Sequence, residues 1–268
     1  MSASILDDIL LYKRRIVEEK KPLYQSLKGR FENLQYARYH LFSRMISQAG
    51  QLNLIAEIKK ASPSAGLIRE DFDLLEIAQT FVENKVAALS ILTEERYFLG
   101  DPYFIKEVSE RVNVPILMKD FIIDEGQIYE ARYFGASAVL LITAILDDAQ
   151  LKHLMETAEV LRLDCLVEVH NEEELKRALG AGAEIIGINN RNLSTLDMDI
   201  RTCERLIPMI PKDKVIVAES GIKTYREIVM IKNMGAHAVL IGETLMREKD
   251  IGRKIQELMY GGAASGPG

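Results

Sequence analysis

From Leu52 onward the chain alternates short apolar runs with amphipathic stretches, and it does so eight times. The runs are LNLIAEIK (52–59), VAALSILT (86–93), VPILMKD (114–120), SAVLLIT (137–143), DCLVEV (164–169), EIIGIN (184–189), KVIVAES (214–220) and HAVLIGE (237–243). Brief, nearly continuous hydrophobicity is the pattern of a parallel strand covered on both faces. The stretches between them, such as DEGQIYEARYFGA, DDAQLKHLMETAEVLR, NEEELKRALGAGA and YREIVMIKNMGA, keep apolar residues at helical spacing. Gly135, Gly182 and Gly235 fall just past helix ends, where a left-handed cap is wanted. Eight βα units over residues 51–258 predict an α/β fold, a single closed (β/α)8 TIM barrel. A doubly wound open sheet is the alternative, but eight units with no second domain favour closure.

Residues 1–50 read as an N-terminal helical extension. Ile5, Leu6, Ile9, Leu10, Ile16 and Val17 keep roughly helical spacing, Pro22 marks a break, and a second helical stretch is expected from Asn33 to Gln48. Residues 259–268, ending GGAASGPG, offer nothing to pack and are expected to form a disordered tail.

Composition narrows the function classes. With 34 Lys+Arg against 40 Asp+Glu, the net charge of −6 excludes a generally basic nucleic-acid-binding surface but leaves room for a local positive pocket. Cys165 and Cys203 are too few for a disulfide framework. The charged N-terminus lacks the apolar core of a signal peptide, and no run of 18 apolar residues occurs. The expectation is a cytoplasmic protein that engages neither membrane nor nucleic acid.

In a parallel barrel the C-terminal strand ends carry the reacting groups. The first run places Glu57 and Lys59 two apart on one face, the third ends at Lys119, and the fifth brings Glu168. The sixth ends at Asn189 with Arg191 just beyond, and the seventh ends in Glu219-Ser220-Gly221. Taken singly, a terminal lysine usually snorkels to water and a lone glutamate is often an interior ion-pair member. Closure brings these ends around one mouth, and their convergence favours a site. Ser220-Gly221 after the seventh run and Gly242-Glu243 after the eighth leave backbone N–H groups open to a phosphate, helped by a short helix N-terminus. His40, His153, His170 and His237 show no ligand spacing, so no metal is expected. His170 reads as a helix-start residue. The absence of GxGxxG, Walker and GxSxG motifs leaves no organic cofactor to expect.

These residues sit in segments that resemble indole-3-glycerol phosphate synthase: AEIKKASPSAG (56–66), PILMKDFIID (115–124), CLVEVHNEEEL (165–175), GINNRNL (187–193), AESGI (218–222) and LIGETLM (240–246). The resemblance implies ring closure, decarboxylation and dehydration of 1-(2-carboxyphenylamino)-1-deoxyribulose 5-phosphate, a phosphorylated small molecule, by a monomer or weak homodimer without cofactor. It implies Lys119 as general acid at the ketone oxygen and Lys59 at the substrate carboxylate, sharing the acid role. Glu168 would stabilise charge at the anilinic nitrogen, Glu57 would serve dehydration, and Asn189 would orient Glu57. Ser220 completes that reacting set through the phosphate cradle, with Arg191, Ser62, Glu219, Gly221, Gly242 and Glu243 as substrate-binding residues. The extension would lie over the barrel mouth, with Leu10, Phe31, Phe98 and Leu193 as candidate lining for an apolar anthranilate pocket. The loop KKASPSAG would be a mobile lid. Two other readings stay open: a lysine Schiff-base lyase or aldolase, and a non-catalytic binder of phosphorylated metabolites.

Overall fold

The computed structural model describes residues 5–31, 40–191 and 197–262. Eight parallel strands close into a barrel: β1 (Asn53–Ile58), β2 (Ala88–Leu92), β3 (Ile116–Lys119), β4 (Ala138–Ile142), β5 (Asp164–Val169), β6 (Ile185–Asn189), β7 (Val215–Glu219) and β8 (Ala238–Ile241). Each pairs with its sequence neighbours, and β8 closes on β1 with Asn53 opposite Ala238 and Ala56 opposite Ile241. All eight barrel strands lie inside the apolar runs.

Two helices precede the barrel, α1 (Ile5–Phe31) and α2 (Leu41–Ile46). The others are α3 (Leu74–Glu83), α4 (Tyr103–Ser109), α5 (Glu125–Phe134), α6 (Asp148–Leu161), α7 (Glu172–Gly180), α8 (Arg201–Leu206), α9 (Tyr225–Met234), α10 (Glu243–Met246) and α11 (Ile251–Tyr260). Six of these helices, α3, α5, α6, α7, α9 and α11, start at a short polar side chain that accepts a first-turn N–H: Asp73, Asp124, Asp147, Asn171, Thr224 and Asp250. At Asp124, Asp147 and Thr224 the residue three along reaches back to complete a capping box. Gly135 and Gly235 end α5 and α9 in the left-handed conformation expected of them.

The strand period of two divides the core. Leu54, Ala56 and Ile58 of β1, with Leu89, Ile91, Met118, Val167 and Ile186, face the helices. Ile55, Leu117, Leu140, Leu166, Val217 and Leu240 fill the barrel interior. Phe42 and Ile46 of α2 join that interior cluster without solvent exposure. At the strand starts, Asn53 Nδ2 donates to the Ile46 carbonyl at 3.0 Å, and Asp164 accepts the Ser43 N–H at 3.0 Å. The short helix therefore plugs the N-terminal end of the barrel, opposite the mouth.

Three expectations about the termini change. Helix α1 runs unbroken through Pro22, and its buried residues Val17, Tyr24 and Leu27 lie on both sides of the proline. The second helix is described from Leu41 to Ile46; residues 33–39 of the expected stretch lie outside the described residues. Among the described residues of the extension, α1 alone reaches the mouth. There the buried Lys13 joins Glu95 at 2.9 Å and Asp120 at 2.8 Å, next to the end of β3. Farther along, Lys20 and Lys28 of α1 pair with Glu130 and Glu125 of α5. At the other terminus α11 continues to Tyr260, two residues into the stretch expected to be a tail; residues 263–268 lie outside the described residues. Among the described residues no helix is long and apolar enough to cross a membrane.

Candidate active site

Side chains two apart on a strand share a face, so Glu57 lies above Ile55, Lys119 above Leu117, Glu168 above Leu166 and Glu219 above Val217. All four come from odd-numbered strands, β1, β3, β5 and β7. Barrel interiors fill in layers of four side chains from alternate strands. Here the uppermost odd-strand layer is ionisable rather than apolar. Lys119 Nζ sits among its three carboxylates, 2.5 Å from Glu219, 3.7 Å from Glu168 and 3.9 Å from Glu57. Lys59 leaves the end of β1 and donates to Glu57 Oε1 at 2.6 Å.

Two glycines make room for this layer. A Cβ on Gly187 of β6 would collide with Glu219 Oε1, and one on Gly242 would collide with Glu57 Oε1. The carboxylates occupy the space that side chains would fill in an apolar barrel, which explains the glycine inside EIIGIN and the one after HAVLI.

Electrostatics separates the three carboxylates. Burial pushes Glu57 up, but Lys59 and Lys119 outweigh it and hold the group below the usual carboxylate range. Burial also opposes charge on Glu168; His170, Lys119 and Asn189 together pull it down. Glu219 goes the other way: burial raises it, and Glu168 and Glu57 add to the rise, against the opposing pull of Lys119. Lys119 is pushed down by burial and up, by more, by Glu219, Glu168 and Glu57, so it stays protonated. An ammonium held in that state has no lone pair with which to attack a carbonyl, which disfavours the Schiff-base reading.

A cavity of about 650 Å³ opens above the layer, with Glu57, Lys59, Lys119, Glu168 and Asn189 on its wall. The side formed by β2 to β4 and the loops after them is apolar, carrying Leu92, Phe98, Phe121 and Ile142. Phe98 and Phe121 pack with ring centroids 6.2 Å apart. The other side is formed by Ser220, Gly221, Gly242 and Glu243. Ser220 and Gly221 are both left-handed, with φ of 64° and 78°. Ser220 is thus in a sparsely populated region, which the fold must over-determine. Asn190 does so by donating Nδ2 to the carbonyls of Glu219 and Ser220 at 3.0 and 3.1 Å. Thr244 Oγ1 donates to the Ile222 carbonyl at 2.8 Å and joins this turn to the one after β8.

The remaining expected residues divide. Asn189 accepts the Arg191 N–H at 3.0 Å, and the carboxylate it engages is Glu168 rather than the Glu57 the resemblance implied. Arg191 reaches Ser64 Oγ at 2.9 Å and Glu243 at 3.6 Å, bridging the loop after β1 to that after β8. Ser62 is not on the cavity wall; its Oγ accepts the Ala65 N–H at 3.2 Å inside the loop, and Ser64 takes the wall position. Phe98 lines the cavity, whereas Leu10 does not, and Phe31 packs on Tyr129 away from it. Leu193 lies outside the described residues. His170, expected at a helix start, lies one residue before the Asn171 cap of α7 and also touches Glu168 at 3.2 Å, a contact its two-residue spacing from that glutamate could have signalled. Lys223, Arg247 and Lys254 add cations to the cavity rim; two lie on or beside the last helices, where no strand-end pattern points to them. Among the described residues no three His, Cys, Asp or Glu side chains converge as metal ligands do.

Residues 6–258 match the family model described as indole-3-glycerol phosphate synthase. An indole-3-glycerol phosphate synthase from Acetivibrio thermocellus is 46% identical, covering 94% of this chain and 98% of its own. One from Caldanaerobacter subterraneus subsp. tengcongensis is 49% identical, covering 91% and 93%. Among solved structures, a 3-hexulose-6-phosphate synthase superposes with a TM-score of 0.63 over 78% of this chain and 98% of its own. At 16% identity that likeness concerns the barrel alone.

Proposed function

The chain belongs to the indole-3-glycerol phosphate synthase family, and from that premise we propose how its barrel mouth converts 1-(2-carboxyphenylamino)-1-deoxyribulose 5-phosphate to indole-3-glycerol phosphate. The observation that carries the reading is the buried odd-strand layer, with Lys119 protonated beneath a cavity that is apolar on one side and lined by the Ser220-Gly221 and Gly242-Glu243 turns on the other. The phosphate lies on the turns Ser220-Gly221 and Gly242-Glu243, with Arg191 at their edge. The aromatic ring lies against Leu92, Phe98 and Phe121, and its carboxylate meets Lys59.

Ring closure joins the carboxylate-bearing ring carbon to the ketone carbon. Negative charge builds on the ketone oxygen, and Lys119 donates its proton there. The ring now carries an iminium-like cation at nitrogen, next to Glu168. Carbon dioxide leaves, and the electrons of its bond restore the aromatic ring. Water is lost last: the new hydroxyl departs with a proton, and the carbon beside nitrogen gives one up. Glu57 and Lys59, in contact at 2.6 Å, serve these two transfers. Asn189 keeps Glu168 and the Arg191 backbone in register. The form proposed for this reaction is a monomer or weak homodimer acting in the cytoplasm.

The test is direct. The folded protein, given this substrate in the presence of a chelator, generates indole fluorescence together with one carbon dioxide per turnover. No fluorescence from folded protein contradicts the reading.

A further inference from the structure

His170 presents each ring nitrogen to a carboxylate. Nδ1 is hydrogen-bonded to Glu174 Oε2 at 2.9 Å, and Nε2 makes an ion-pair contact with Glu168 Oε1 at 3.2 Å, outside hydrogen-bond geometry, with only 12% of the side chain exposed. Glu174 is fixed from three directions. Its Oε2 also accepts the His170 backbone N–H at 2.8 Å, and its Oε1 accepts the Asn171 amide at 2.6 Å. Asn171 in turn caps α7 by accepting the Glu174 N–H. The cap that starts the helix therefore also clamps one edge of the imidazole and sends the other toward Glu168.

The charge pattern of the layer shows why that matters. Three buried carboxylates face two ammonium groups. Lys59 is engaged by Glu57 at 2.6 Å and Lys119 by Glu219 at 2.5 Å, while Glu168 is 3.7 Å from Lys119. The His170 ring is closer to Glu168 than that ammonium is. It meets Oε1, while the oxygen nearer Lys119 is Oε2. Nothing in the ring-closing chemistry requires a histidine here, so the contact is unused by the mechanism above.

We propose that His170 is a positioning residue: anchored on Glu174, it holds Glu168 by Oε1 and so aims Oε2 at the cavity beside Lys119. This rests on Glu168 being the carboxylate that meets the substrate nitrogen. The ring carries the charge this needs. Burial disfavours it, but Glu168 and Glu174 outweigh burial and raise His170 to about 10. Without the imidazole, Glu168 has Lys119 as its cation, and the two collapse toward each other and away from substrate.

Steady-state kinetics of His170→Ala and His170→Gln, with the unmodified protein alongside, test this. The glutamine returns an N–H donor near the Nε2 position. The expected result is a kcat lowered at least about tenfold in His170→Ala with KM within about threefold, and substantial recovery in His170→Gln. A role in folding alone would not distinguish the two variants in this way. If the alanine variant does not fold, His170→Phe, which fills the space without a donor, takes its place against glutamine. A kcat within twofold of the unmodified protein, or equal losses with and without the donor, overturns the proposal. Absence of turnover in the unmodified protein instead contradicts the functional reading on which it rests.

Discussion

Lys119 and Glu219 meet at 2.5 Å from opposite sides of the barrel, β3 and β7, and Glu219 is fully buried. Among the described residues Glu219 Oε1 has no hydrogen-bond partner, and it lies where a side chain on Gly187 would be. The carboxylate is therefore held by the lysine and by the space beside it, and in return it fixes where the ammonium rests. Replacing it as Glu219→Gln removes the charge but little volume. Lys119 then shifts toward Glu168, and kcat falls about ten- to a hundredfold, part of the 10²–10⁴ that a well-placed general acid contributes. Steady-state assays read this as a loss in kcat with KM within about threefold.

The glycines of the layer are as necessary as its charges. Gly242→Ala places a methyl group where Glu57 Oε1 now lies, and Glu57 must leave Lys59. The expected effect is a drop in kcat of about tenfold or more, with overpacking that costs about 1–3 kcal/mol. Urea unfolding and kinetics on one preparation measure both. An active variant of unchanged stability would mean that Glu57 has another place to go.

Lys13 ties α1 to the rim of the mouth. Its ammonium is buried between Asp120 and Glu95, and Asp120 also accepts from Thr93 Oγ1 at 2.6 Å and from the Phe121 N–H at 2.7 Å. Lys13→Met keeps the length and leaves Asp120 without its cation, a loss of about 3–5 kcal/mol for a broken buried pair. Glu95 is partly exposed, so Glu95→Gln costs less than about 1 kcal/mol. Equilibrium unfolding in urea distinguishes the two, and equal costs would contradict the anchor.

The imidazole of His170 links stability to pH. Its folded value is raised to about 10 from an ordinary value of 6.5. At pH below about 6.5 both folded and unfolded chains carry the proton, and the contribution is fully present. Between about 6.5 and 10 only the folded chain holds it, and stability falls as pH rises. The unfolding free energy of the unmodified protein should decline over that window more steeply than that of His170→Gln. Parallel curves would show that the ring is not held between two carboxylates.

The barrel was legible because a parallel strand buried on both faces writes itself as a short apolar run, and all eight strands lie within such runs. The charged layer was legible for the same reason: Glu57, Lys119, Glu168 and Glu219 interrupt patterns that burial otherwise keeps apolar. Pro22 misled because a helix supported along one face by α5 tolerates the loss of one backbone hydrogen bond. The placement of α2 was illegible, since Phe42 and Ile46 suit a helix packed over a mouth as well as one plugging the other end.

Local spacing also hid contacts made between loops. Ser64 rather than Ser62 reaches the cavity because the loop turns between them, with Ser62 accepting the Ala65 N–H. Arg247 and Lys254 reach the rim from the last two helices, and only closure of the barrel brings those helices to the loop that follows β7.

The central claim is that Lys119 delivers the proton that drives ring closure. Lys119→Met removes that proton while retaining an unbranched chain of similar length. Its kcat, with substrate affinity measured separately by equilibrium binding, is the most direct measurement. The account expects a loss of about 10² to 10⁴ in kcat with binding preserved within about tenfold. A folded Lys119→Met protein that still forms the indole product within tenfold of the unmodified rate would contradict it.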